Sequence, residues 1–148
     1  MLLLIEDNRA DVLLFTEALK EARKEYPVPV QLCTVADGRT ALAFLHHEGC
    51  YHHAPRPDLI VLDLHLPGPS GHEVLAQVKS EAALKCIPVV VFTSSTAPED
   101  IEHSYALGAN AYLYKAAELE EFFATINDLV GFWCQRAALP SAAAVSSE

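Results

Sequence analysis

"DLIVLDLHLPGPSG", residues 58 to 71, decides how this chain is read. Its centre, Leu59 to Leu62, is an unbroken aliphatic run, the pattern of a strand buried on both faces of a parallel sheet rather than on one. The run stops on Asp63, and two prolines and two glycines then prevent any strand from continuing. A strand built for burial therefore ends on a carboxylate. In open α/β sheets ligands gather beyond the carboxyl ends of the strands, so the residue that ends each strand is where function should be sought.

Similar runs lie on either side: Leu2–Ile5, "VPVQLCTV" from 28 to 35, "PVVVFT" from 88 to 93, and "AYLY" from 111 to 114. Amphipathic segments separate them. Val12, Leu13, Phe15, Leu19 and Ala22 recur at helical spacing, with Asp11 or Asn8 available as the cap. Helices are also predicted over 37–48, 71–80, 98–107 and 117–136. Five strand–helix pairs predict an α/β domain over residues 1–137 with a parallel sheet. The stretch "HHEGCYHHAPRPD", from 46 to 58, reads as a long surface loop with solvated histidines. Residues 138–148 have little to bury and are expected to be a disordered tail.

With 148 residues the chain can form one substantial core. Twenty acidic against ten basic residues give a formal charge of −10, which disfavours nucleic acid or an anionic membrane as the main partner. Cys33, Cys50, Cys86 and Cys134 are scattered without a CxxC pair and read as reduced thiols. The opening "MLLLIEDN" has too short an apolar run for a signal peptide, and no stretch reaches the roughly 18 apolar residues of a membrane span. A cytoplasmic location is expected.

The predicted strand ends bring together Glu6-Asp7, Asp63, Thr93-Ser94 and Lys115. Three carboxylates about 4 Å apart repel by roughly 4 kcal/mol per pair at an effective dielectric of 20. A hard divalent cation relieves that repulsion; Mg2+ takes one or two carboxylates and keeps positions for water and phosphate oxygens. Asp7 and Asp63 suit direct ligation, with Glu6 acting through water. A carboxylate beside such an ion can attack phosphorus to give an aspartyl phosphate, while Lys115 and the Thr93 hydroxyl hold the phosphoryl oxygens. Taken singly, Asp7 could be a helix cap, Asp63 a turn residue, Thr93 a strand residue and Lys115 a surface lysine. Their place at the strand ends unites them.

The order "IEDN", "LIVLDLHLPGPSG", "PVVVFTSS", "GANAYLYK" resembles the receiver domain of two-component response regulators, over about residues 1 to 130. Asp63 to Thr93 spans 30 residues and Thr93 to Lys115 spans 22, as in a typical receiver. The resemblance implies a flavodoxin-like, doubly wound sheet of five parallel strands in the order 2-1-3-4-5. It implies that Asp63 is the phosphoacceptor, served by the phosphohistidine of a sensor histidine kinase. Glu6 and Asp7 match the acidic pair that holds Mg2+, for which Mn2+ can substitute, and His65 would add its backbone carbonyl. Thr93, with Ser94 beside it, matches the switch hydroxyl, Lys115 the family's lysine, and Tyr112 the aromatic that turns inward with phosphate.

Two departures stand out. Ala116 replaces the proline that follows the lysine in the family, which implies either a different loop or a costly non-proline cis bond. His65 stands where Asn, Met or Arg is commoner, at a position that faces the attacking water. The longer loop at 46–57, "KAAEL", "GFW" and the late "LP" resemble single-domain regulators that partner bacterial phytochrome kinases. Too little chain follows residue 130 for an output domain. The last predicted helix is apolar around more than one stripe, so a homodimer using it and the fourth helix is expected, with Phe122, Phe132 and Trp133 at the interface.

Three other functions are compatible with parts of the pattern. A haloacid-dehalogenase-like phosphatase shares the aspartate, hydroxyl, lysine and Mg2+, but such enzymes carry "DxD" on the first strand, whereas His65 occupies the second acidic position here. A flavin-binding flavodoxin needs a phosphate loop after strand one, where "EDNRAD" would repel phosphate. A receiver that has lost phosphorylation would not need the complete set of acids, hydroxyl and lysine.

Overall fold

In the computed structural model, which describes residues 1–140, the first aliphatic run is strand β1 (Leu2–Ile5), buried at all four positions. Asn8 then caps helix α1 (Arg9–Glu25): its side chain accepts the backbone N–H of Asp11, so Asp11 is freed for another task. Strand β2 (Leu32–Val35) leads to helix α2 (Gly38–Leu45), which Asp37 caps by accepting from Thr40 N–H. Strand β3 (Leu59–Leu62), helix α3 (Gly71–Ser80), strand β4 (Val89–Thr93) and helix α4 (Pro98–Ala106) follow. Strand β5 (Ala111–Tyr114) and helix α5 (Leu119–Leu129) complete the alternation, and a π-helical segment continues α5 from Val130 to Arg136.

The five strands form one parallel sheet in the order 2-1-3-4-5. Alternate residues of the central strands serve opposite faces. Leu3, Ile5, Ile60, Leu62, Val89 and Val91 pack with Phe44 and Leu45 of α2 and Val74, Leu75 and Val78 of α3. On the other face Leu2, Leu4, Leu59, Val61, Val90 and Phe92 meet Phe15 and Leu19 of α1 and Phe122, Ile126 and Leu129 of α5. This double burial is why β1, β3 and β4 lack polar alternation.

Several expectations from the sequence are corrected. The strand expected over 28–35 begins only at Leu32, because Pro27 and Pro29 lack the N–H that a ladder requires. Leu13 is 67% exposed and takes no part in the apolar face of α1. Phe122 is not at an outer surface; it is 3% exposed, with its ring centroid 5.3 Å from that of Phe92 in the core. The 46–57 loop includes a 3-10 turn at Gly49–Tyr51, where Tyr51 packs on Phe44. Of the expected tail, 141–148 lies outside the described residues. No described helix is long and apolar enough to cross a membrane.

Candidate functional site

The parallel ladder runs one residue past the strands, and this positions the site. Glu6 N–H donates to Val35 O at 3.0 Å, Asp63 N–H to Ile5 O at 3.1 Å, and Lys115 N–H to Thr93 O at 2.8 Å. Each functional side chain thus leaves a backbone already fixed by the sheet. Beyond Asp63 the chain must turn away sharply. Gly68 takes a positive φ of 73°, and Gly71 returns to donate to Leu64 O. A Cβ on Gly71 would lie 2.3 Å from Asp63 O, so only glycine permits this close return. Ser70 and Glu73 close a capping box that starts α3 immediately afterwards.

Lys115 is the hub. Its side chain is 8% exposed, and its ammonium donates to Glu6 Oε2 at 2.6 Å, Asp11 Oδ2 at 2.9 Å and Asp63 Oδ2 at 3.0 Å. Burial disfavours the charged lysine, but its bonds to Glu6 and Asp11 and the charge of Asp63 outweigh it and hold its pKa above the usual lysine range. Burial also pushes Glu6 up to about 7; its hydrogen bond from Lys115 pulls the other way, and the Asp63 charge adds to the rise. The second Glu6 oxygen accepts Asn8 N–H at 3.0 Å, so both oxygens are engaged.

Glu6, Asp7 and Asp63 can each offer an oxygen within 4.8 Å of the others. An all-oxygen, anionic set of this kind fits a hard divalent cation. Asp7 is exposed while Glu6 and Asp63 are buried; Glu6 is held by the shorter contacts, 2.6 Å from Lys115 and 3.0 Å from Asn8 N–H, against 3.0 Å and 3.3 Å at Asp63, so direct ligation suits Asp7 and Asp63 better. The His65 side chain is exposed, while its N–H donates to Asp63 Oδ1 at 3.3 Å.

Thr93 is fully buried at the end of β4, its hydroxyl accepting Ser95 N–H at 3.5 Å, whereas Ser94 is exposed. Tyr112 is half-buried and donates its hydroxyl to Ser95 O at 2.9 Å. Ser95 in turn donates to Asp100 Oδ2 at 2.5 Å, so the β4–α4 loop is tied to both β5 and α4. Phe132 is 56% exposed and Trp133 half-buried, their centroids 5.0 Å apart and remote in sequence from the strand ends. The described residues hold no cis peptide bond, so the Lys115-Ala116 loop takes the trans form.

Asp11 was absent from the sequence-derived site. The sequence offers it only as a candidate helix cap. Its signal is position: it lies in the first turn of a helix that begins two residues after the Glu6-Asp7 pair.

Comparison with known proteins places this arrangement. The pattern of the response regulator receiver domain matches residues 2–127. Response regulator Rcp1 of Synechocystis sp. (strain ATCC 27184 / PCC 6803 / Kazusa) is 42% identical over 142 residues, covering 96% of this chain and 94% of that protein. The crystal structure of the phosphorylated cyanobacterial phytochrome response regulator RcpA superposes with a TM-score of 0.88 at 47% identity, covering 95% of this chain and 97% of that one. The Mn2+-bound form of Rcp1 also gives 0.88, at 41% identity, with 95% and 98% covered. The flavodoxin-like fold is the one expected, and these matches leave the phosphatase alternative without support. By its sequence pattern, its sheet order and these relatives, the chain belongs to the response regulator receiver domain family.

Proposed function

We propose that Asp63 accepts a phosphoryl group from the phosphohistidine of a sensor histidine kinase, and that the protein signals in its phosphorylated form. The observation that carries this reading is the Asp63 carboxylate, held at the end of β3 with one oxygen on Lys115 and within reach of the Glu6 and Asp7 oxygens. An Asp63 oxygen forms the new bond to phosphorus as the P–N bond of the phosphoimidazole breaks, and the imidazole nitrogen keeps the electron pair. Lys115 orients the carboxylate and then neutralises a phosphoryl oxygen, and Thr93 donates its hydroxyl to another. Asp7, Asp63 and the His65 carbonyl would hold Mg2+, or Mn2+ in its place, with Glu6 acting through water. When bound, the ion supplies positive charge to the phosphoryl oxygens. Ser94 flanks the switch, and Tyr112 follows the β4–α4 loop through its bond to Ser95. Hydrolysis returns the carboxylate: a water oxygen bonds to phosphorus, the P–O bond to Asp63 breaks, and phosphate leaves.

On this reading the protein catalyses only its own phosphorylation and dephosphorylation and works in the cytoplasm. The likeness to RcpA, described as a phytochrome response regulator, supports a bacterial phytochrome kinase as partner. A homodimer through the α4–β5–α5 side fits the exposed Tyr105, Tyr114, Leu119 and Phe132, with Trp133 beside them; a monomer by light scattering at micromolar and higher concentrations would remove that part. The acceptor is tested by intact mass after incubation with acetyl phosphate and Mg2+. Wild type should gain one phosphoryl group and Asp63→Asn none; an equal gain in both proteins would disprove the assignment.

A further inference from the structure

A lysine ammonium has three N–H donors, and here three different carboxylates take them: Glu6 at 2.6 Å, Asp11 at 2.9 Å and Asp63 at 3.0 Å. Two of these anions are part of the acidic set that suits a cation. Asp11 is not in that set, yet it is bound to the same ammonium, from the first turn of α1. Its side chain is 26% exposed, against 2% for Glu6 and 7% for Asp63, so water can replace the lysine around it at little cost. At full ionisation, four carboxylates against one ammonium leave the edge with a formal charge of −3. Asp11 supplies one of those negative charges without occupying a ligand position.

We propose that Asp11 is a positioning residue that shares the charge of Lys115, strengthening divalent-cation binding and weakening the hold on a phosphoryl group. The proposal rests on the reading of Asp63 as phosphoacceptor. The two effects have opposite sign because the cation and the phosphoryl group have opposite charge. A negative charge one residue's reach from the site attracts the first. It also draws the ammonium toward α1 and repels the second. Loss of ordinary structural support would instead weaken both.

The test is Asp11→Asn, which keeps a carbonyl oxygen for Lys115 and removes the charge. Mn2+ affinity is read from free Mn2+ by electron paramagnetic resonance. Affinity for beryllofluoride, a phosphoryl mimic, is read at saturating Mg2+ by fluorine NMR. Mn2+ should bind about threefold or more weaker and beryllofluoride about threefold or more tighter, from one charge at a separation of several ångströms in water. Asp11→Glu should return both toward wild type. Affinities that move together, or that do not move, overturn the proposal. Wild-type protein that gains no phosphoryl group from acetyl phosphate sinks the acceptor assignment and this proposal with it. Wild type that is phosphorylated while Asp11→Asn matches its affinities removes this proposal alone.

Discussion

Two lysines sit in the body of this protein, at opposite ends of the sheet, and their surroundings differ in kind. Lys79, at the amino-terminal edge, donates to Lys85 O at 3.1 Å, Ile87 O at 2.9 Å and Asn110 Oδ1 at 3.0 Å, all neutral oxygens. Asn110 Oδ1 also accepts Val89 N–H, so the lysine ties the starts of β4 and β5 together. Burial lowers its pKa, and the nearby Cys86 thiol offsets only part of that. Lys115, at the carboxyl-terminal edge, is surrounded by three carboxylates, and its pKa moves the other way. The difference teaches how to tell a brace from a site. Around Lys79 the ammonium's donors meet neutral oxygens and no negative charge is left to attract a cation. Around Lys115 negative charge exceeds positive charge, and the surplus can be met by a ligand.

The largest expected effect breaks the carboxyl-terminal side of that contrast. Lys115→Met keeps most of the side-chain volume and removes the ammonium; phosphoryl uptake from acetyl phosphate should fall by about 100-fold or more, the scale of losing one electrostatic contact to a transferring group. Mn2+ should still bind, because its candidate ligands remain. The opposite edge should respond in stability alone. Lys79→Met leaves Lys85 O and Ile87 O without this donor and should cost about 2 kcal/mol in urea unfolding, with phosphoryl uptake unchanged. A loss of uptake there would show that the two edges are not independent.

The smallest effect is in pH. Glu6 holds its proton up to about 7 in the folded protein, against 4.5 for the unfolded reference. The folded state therefore binds more protons across that interval, and stability is fully present below about 4.5 and declines as pH rises toward 7. Thermal melting in EDTA should show this loss as a melting temperature that falls as pH rises through this interval. Millimolar Mg2+ should reduce it. A midpoint independent of pH over this range would mean that burial does not control Glu6.

Much of the architecture was legible because burial dictates composition. The runs at Leu2–Ile5 and Leu59–Leu62 could only be strands covered on both faces, and the residues ending them named Glu6, Asp7 and Asp63 in advance. Lys115 and Thr93 followed from their strands in the same way. Strand β2 was overextended because Val28 and Val30 satisfy the apolar pattern, whereas the ladder excludes the prolines beside them. The inward turn of Phe122 is not legible in sequence because its helix is apolar nearly all round, and periodicity does not say which apolar residue faces the sheet when there are too many.

The sequence by itself determined the alternation of strands and helices, the strand ends, and the residue types able to hold a cation and a phosphoryl group, because these depend on local pattern and chemistry. Only the tertiary structure decided which oxygens meet the ammonium. Asp11 and Lys115 are 104 residues apart, and the place of Asp11 in the first turn of α1 does not by itself name its partner. Their 2.9 Å contact exists because the sheet order places β5 two strands from β3, and because α1 starts just past the carboxyl end of β1. Packing closed the ring of charge that chain order had left open.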